Sequence, residues 1–311
     1  MMNQHIQLII LLFSLFNIIE AQTVQYFDGS RSLKFINEQC ELGPRFPGST
    51  GHRNAIKYFT KHFKPLGDEF TIMEEVIAHP YETDSLRMSN IFTRFNVDAP
   101  RRILLMAHWD TRKIADKDPD EENRALPILG ANDGASGVAV LMVLAEMFSQ
   151  NPLINLGIDI LLADGEDVGH AGDSENFGLG TREFAKHIPL PRPEAAICLD
   201  MVGDAELTLP IEQYSYIQAA DLVLDIWDLA AELGFTQFQK KIGMPITDDH
   251  RVLYIHSGIP AIDIIDFDYP NKQKNYWHTL EDTPDKCSSE SLSVVGTVVL
   301  NYIYRLDEAM R

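Results

Sequence analysis

The sequence predicts an α/β fold: a largely parallel central sheet with helices packed on both faces, which makes a three-layer sandwich. Three observations lead there. Apolar runs of about six residues recur along the chain and alternate with segments of helical periodicity. The runs end in acids or histidine, as strands do when their carboxyl ends carry functional groups. No internal repeat or linker interrupts the pattern, so residues 22–311 are expected to form a single domain.

The elements follow in order. Met1–Ala21 contains an apolar stretch, Ile6–Ile19, too short for a comfortable membrane span and placed where a secretory signal peptide has its core. It is expected to be a signal peptide or, failing cleavage, an N-terminal anchor, which makes the protein secreted or periplasmic, or membrane-tethered. No later segment approaches spanning length, so no integral membrane domain is expected beyond the leader. Residues 48–67, GSTGHRNAIKYFTKHFKPLG, predict a helix from their Ser-Thr start, the spacing of Ile56, Phe59 and Phe63, and the closing Pro-Leu-Gly. RRILLMAHWD (101–110) predicts a strand running into a polar loop, and the charged, aperiodic 111–128 a surface loop. ASGVAVLMVLAEMFSQ (135–150) predicts a helix. IDILLADGED (158–167) predicts a second strand, followed by the short helix TREFAKHI; AAICLDMVGD (195–204) predicts a third. LVLDIWDLAAELG (222–234) predicts a helix stopped by Gly234. IPAIDIIDFD (259–268) predicts a fourth strand, and residues 288–310 a closing helix with a Ser-x-x-Glu-like start.

Composition narrows the function. A net charge of −20 argues against nucleic acid and anionic membranes as partners and favours cationic substrates such as peptides with a free amino terminus. Cys40, Cys198 and Cys287 form no CxxC pattern, and three cysteines are too few for a disulfide scaffold; nothing in the sequence requires a bridge between any two of them. The chain has no GxSxG elbow, HExxH helix, Walker loop or GxGxxG turn.

What remains is a convergence. His108 and Asp110, Glu166 and Asp167, Asp200, and His278 follow successive strands, and Asp133 sits in GANDGASG, where flanking glycines let the backbone bend ahead of a helix. Singly, each has a plainer reading: Asp133 as a helix N-cap, Asp200 as a strand-end turn residue, Asp110 as a partner orienting an imidazole. Together, so many carboxylates would repel one another without a cation, and a mixed histidine and carboxylate set points to zinc.

AHWD, GANDGASGVA, LLADGED, LDMVGD and YWHTLEDT, in this order, resemble the zinc-dependent M28 peptidase family, from LGPRFPGS near residue 42 to the last helix. The resemblance implies a mixed, mostly parallel sheet of the zinc-exopeptidase kind. It also implies one of two activities. In the two-zinc aminopeptidases, Asp133, Asp167 and His278 would bind one metal, with Asp133 bridging to a second metal held by His108 and Asp200. In the one-zinc glutaminyl cyclases, only Asp133, Asp167 and His278 bind metal, while Asp200 joins Glu166 and Asp249 of TDDH (247–250) in an acidic network. TDDH, and Trp277 directly before His278, resemble the cyclase branch. That reading implies peptides or proteins with a free N-terminal glutamine as substrates, Zn²⁺ as cofactor (one per chain, two for an aminopeptidase), Glu166 as base and acid, Trp277 walling the substrate pocket, and Asp110 supporting the ligands. Two positions depart from animal cyclases: Asp167 stands where they carry Glu, and Asp263 where they carry a histidine. A non-catalytic binding protein on the same fold is the third reading.

Overall fold

The computed structural model describes residues 24–310; the expected leader, residues 1–21, lies outside them. The chain enters through α1 (Gly29–Glu41), capped by Asp28, and α2 (Thr50–Phe63), capped by Ser49, whose side chain accepts from His52 N. A long hairpin follows, β1 (Glu69–Ala78) and β2 (Ser85–Phe95), then β3 (Arg101–His108) and α3 (Ala135–Gln150). Next come β4 (Leu156–Ala163), α4 (Leu179–Lys186), β5 (Ala195–Asp200), β6 (Leu209–Ile211), α5 (Gln213–Glu232) and β7 (Phe238–Ile242). The chain closes with α6 (Asp249–Ser257), β8 (Ala261–Ile265), the short ribbon β9 (Pro270–Asn271) and β10 (Lys274–Asn275), and α7 (Ser289–Ala309).

The main sheet has the order β1-β2-β4-β3-β5-β8. Its β4, β3, β5 and β8 run parallel, and β2 pairs antiparallel with both β4 and β1, so the sheet is mixed and mostly parallel as expected. Side-chain parity explains the continuous apolar runs. Ile103, Leu105 and Ala107 point into the larger core beneath α1, α2, α3 and α7, while Leu104 and Met106 point to the opposite face, against Phe184 of α4 and Leu253 of α6. Strand β5 alternates likewise, Ile197 and Leu199 to one side, Ala196 and Cys198 to the other. Both faces are buried and so mostly apolar; of the buried charges on the strands, Arg102 and Asp159 pair with each other at 2.6 Å. Among the described residues no helix is long and apolar enough to cross a membrane.

Several boundaries differ from expectation for a shared reason. The strands expected to run through Glu166–Asp167, Asp204 and Asp266 stop short of those acids, which leave the ladder to accept hydrogen bonds from loop backbone or to face the site. Helix α5 begins at Gln213, with a break at Ala219, because Glu212 caps Tyr214 N and Ser215 N. The hairpin, α1 and α6 were not expected at all. Segment 111–128 is not merely a surface loop: Thr111, Arg112, Ala115, Asp118 and Ile128 are buried. The three cysteines are buried and free.

Candidate active site

Chain topology carries the functional side chains to one place. After β4 the chain crosses back to β5 on the far side of β3, and such a reversal opens a crevice at the carboxyl ends of the strands. His108 ends β3 and Asp200 ends β5. Glu166 and Asp167 lie in a single helical turn after β4, entered through Gly165 at φ 70°. A side chain at Gly165 would also press within 2.5 Å of Met88 Sδ, so both conformation and space demand glycine there. Asp133 precedes α3, whose N-cap is Gly134 with no side-chain cap; the N-cap reading of Asp133 therefore fails. His278 follows the β9–β10 ribbon at φ 56°, a left-handed conformation held by its neighbours.

Two groups of ligand atoms result, each within 4.8 Å: Asp133, Asp167 and His278, and His108, Asp133 and Asp200. They share Asp133. In the first, His278 Nε2 lies 3.3 Å from Asp167 Oδ1 and 3.5 Å from Asp133 Oδ2. In the second, His108 Nε2 lies 3.1 Å from both Asp133 Oδ1 and Asp200 Oδ1. Asp110 accepts from Glu166 N at 3.0 Å and Asp167 N at 3.2 Å, which fixes that turn against β3; its 3.6 Å approach to His108 Nδ1 is too long for a full hydrogen bond. Glu166 and Asp200 keep 8% and 7% of their surface exposed, more than Asp133, Asp167 or His278, and so border the opening. Trp277 is half-buried, stacked on His278 with ring centres 3.8 Å apart, and meets Phe267 at 4.9 Å.

The family profile for Peptidase family M28 matches residues 90–303. The chain belongs to peptidase family M28. Among solved structures it is similar to a Zn-dependent exopeptidase from Parabacteroides distasonis, at 34% identity and TM-score 0.86 over 91% of this chain and 99% of that one. It is equally similar to Bacteroides thetaiotaomicron glutaminyl cyclase bound to N-acetylhistamine, at 33% identity and TM-score 0.86 over the same shares. A curated relative, glutaminyl-peptide cyclotransferase of Bos taurus, is 22% identical over 84% of this chain and 79% of its own length. The relatives are enzymes, and the zinc-exopeptidase-like fold is shared with them.

The electrostatics of this M28 site ask for a cation. Asp110, Asp133, Glu166, Asp167, Asp200, Asp248, Asp249, Asp263 and Asp282 are all buried there, against His108, His278, His250, Arg112 and Arg45 as buried cationic or potentially cationic groups. Burial pushes the Glu166 carboxyl well above the usual carboxylate range; His108 opposes this, and Asp248, Asp167 and Asp249 add to it. Asp200 is pushed up to about 7, chiefly by burial, against the pull of His108. Burial works against a charge on His278, but Asp167, Asp116 and Asp133 outweigh it and raise the ring to about 9. Asp133 Oδ2 and Asp167 Oδ2 are buried with no hydrogen-bond partner. Asp133 Oδ2 faces His278 Nε2, and two buried carboxylates with orphaned oxygens beside a histidine nitrogen are a donor set that a zinc ion completes, so the first trio fits the metal.

Both acids of TDDH act on Glu166. The acid of this motif that acts most on the site is Asp248, which raises both Glu166 and Asp200 and outweighs Asp249 at Glu166. Asp249 is fully buried but turns toward Thr181 and the backbone of Gly178. As the helix cap, Asp248 has its Oδ1 on Asp249 N and its Oδ2 free to face Cys198 and Asp263, toward the sheet. Three further residues escaped the sequence reading. Asp282 accepts from Asn132 N and Asp133 N and so holds the Asp133 bend, with the Tyr269 hydroxyl donating to it at 2.9 Å. Arg112 and Asp116 touch Asp167 and His278. Only Asp282 left a signal, as the final acid of YWHTLEDT.

Proposed function

We propose that the chain is a glutaminyl-peptide cyclotransferase, converting the N-terminal glutamine of peptides to pyroglutamate with release of ammonia. The observation that carries this reading is the unequal state of the two ligand groups. His108 Nε2 is hydrogen-bonded to Asp200 Oδ1 at 3.1 Å and lies as close to Asp133 Oδ1, whereas the first group keeps two unpartnered buried carboxylate oxygens. One metal position, rather than two, suits a cyclase. Similarity to bacterial glutaminyl cyclases at 32 to 34% identity supports the same choice.

A zinc ion held by Asp133, Asp167 and His278 would polarise the side-chain carbonyl of the bound glutamine. The protein's own groups do the rest. Glu166 takes a proton from the attacking α-amine and returns it to the departing amide nitrogen, so the new C–N bond forms as the old one breaks and ammonia leaves. Its raised proton affinity, sustained by burial and by Asp248, brings it toward the range an amine proton requires. The nearby negative charges of Asp248, Asp167 and Asp249 strengthen its hold on that proton. Trp277, braced on His278 and Phe267, covers the side-chain pocket and excludes the water that would hydrolyse the amide to glutamate. The substrates are peptides or proteins with a free N-terminal glutamine, and the expected leader would deliver the enzyme to the periplasm or the exterior.

The experiment is ammonia release from a Gln-initiated dipeptide, with mass spectrometry of the product and zinc counted per chain. Loss of the mass of ammonia with one zinc, abolished by Glu166→Gln, is the expected result. Cleavage into free amino acids with two zincs would establish the aminopeptidase instead, with His108 and Asp200 opening to the second metal.

A further inference from the structure

Segment 111–128 straps the stretch that carries His278. Lys117 N donates to His278 O at 3.2 Å, and Leu280 N donates to Asp118 Oδ2 at 3.0 Å. These ties flank His278 and hold it at φ 56°, which a residue with a side chain adopts only under constraint. Inside the strap lies Arg112, only 2% exposed. Its Nη1 donates to Asp167 Oδ1 at 2.8 Å and to Gly169 O at 2.7 Å. Its Nε and Nη2 donate to the two oxygens of Asp116 at 2.7 and 3.0 Å. Asp116 Oδ1 in turn lies 3.4 Å from His278 Nδ1.

We propose that Arg112 and Asp116 are positioning residues that set the metal affinity of the Asp133–Asp167–His278 group, an inference that rests on the metal reading of that group given above. One guanidinium reaches two of the three ligands, Asp167 directly and His278 through Asp116. Arg112 holds Oδ1 of Asp167, the oxygen that lies 3.3 Å from His278 Nε2, and so fixes the carboxylate against the histidine while its Oδ2 stays buried and unpartnered. Asp116 faces the Nδ1 edge of His278, so that Nε2 points at Asp133 and Asp167. A carboxylate behind a ligating imidazole selects its tautomer and raises its basicity. The planar fork of arginine can serve Asp116 and Asp167 at once, which an ammonium, a point donor, does poorly. The arrangement also suits aspartate at position 167: a shorter acid reaches less far and depends more on being held.

Zinc affinity of the full chain is measured by competition with a chromophoric chelator, a readout independent of turnover. Asp116→Asn keeps the shape but removes the charge and is expected to weaken zinc about 10- to 100-fold. Arg112→Met is expected to lose at least as much, and Arg112→Lys to recover only part of it. Lys113→Ala, which breaks a surface pair with Glu82, is expected to bind like wild type. Melting of each metal-free variant reads folding separately; should Arg112→Met fail to fold, Asp116→Asn and Arg112→Lys decide. Folded variants that bind zinc as tightly as wild type overturn the proposal. A wild-type chain that binds zinc but releases no ammonia defeats the cyclase reading alone, since the affinity comparison still decides this one. A wild-type chain that takes up no zinc overturns both.

Discussion

Gly134 offers a direct test of how tightly the site is built. It follows Asp133, and a methyl group added there would lie 2.6 Å from both Cε1 and Nε2 of His108 and closer still to the His108 carbonyl oxygen. Ordinary carbon contacts begin near 3.5 Å, so Gly134→Ala must displace the imidazole, the Asp133 bend, or both, by roughly 1 Å. The 3.1 Å contacts of His108 Nε2 with Asp133 and Asp200 would open, and with them the placement of a candidate metal ligand and of the acid expected to join Glu166 in a network. Overpacking of this size costs about 1–3 kcal/mol of stability. A misplacement of about 1 Å in a site that works by orientation lowers turnover on the order of 100-fold. The assay is kcat/KM for ammonia release beside the urea midpoint, with Gly29→Ala as comparator. A side chain at Gly29 would collide with the Ser289 carbonyl oxygen and meet Ser293 N at 2.8 Å in the α1–α7 contact, so that variant should lose stability and keep kcat. Gly134→Ala with turnover within about threefold of wild type would refute the claim that this close approach positions the ligands.

Two further outcomes are expected. Trp277→Leu removes the stacking on His278 and the contact with Phe267 but touches no ligand atom, so KM for Gln-initiated dipeptides should rise about tenfold while zinc content stays at the wild-type level; loss of zinc would show that the indole props the ligand instead. Burial raises Asp266 to about 7, opposed by hydrogen bonds from Thr208 and the Asp268 backbone. An acid whose folded pKa exceeds its unfolded value of about 4 leaves the folded state binding more protons between those values, so its contribution falls as pH rises from about 4 to 7. Asp266→Asn should flatten that part of the stability profile by about 2 to 4 kcal/mol; urea midpoints at pH 5 and pH 8 that shift equally in both proteins would contradict it.

The candidate ligand residues stood out in the sequence because local backbone demands mark them. Asp133 stands among glycines because the bend ahead of α3 leaves no room for a side chain at Gly134, and Glu166 and Asp167 follow a left-handed Gly165. The parallel strands were legible for a related reason: burial on both faces leaves an unbroken apolar run that periodicity detects. The edge hairpin was not. β1 is only partly buried, with charged residues along its length, and reads like a loop.

What the sequence by itself determined is which residues could meet at the strand ends and in what order. Tertiary structure alone decided which of them face one another. Asp248 and Asp249 are adjacent and chemically identical, and only the start of α6 aims the first at the sheet and the second at Thr181. Asp116 and Arg112 sit in a charged stretch that composition assigns to solvent, yet the strap against His278 buries Arg112 and directs both at the ligands. A motif records constraints on a residue's own backbone. The direction of a charged side chain depends on partners distant in the chain, here Asp167 and His278, which no local pattern encodes.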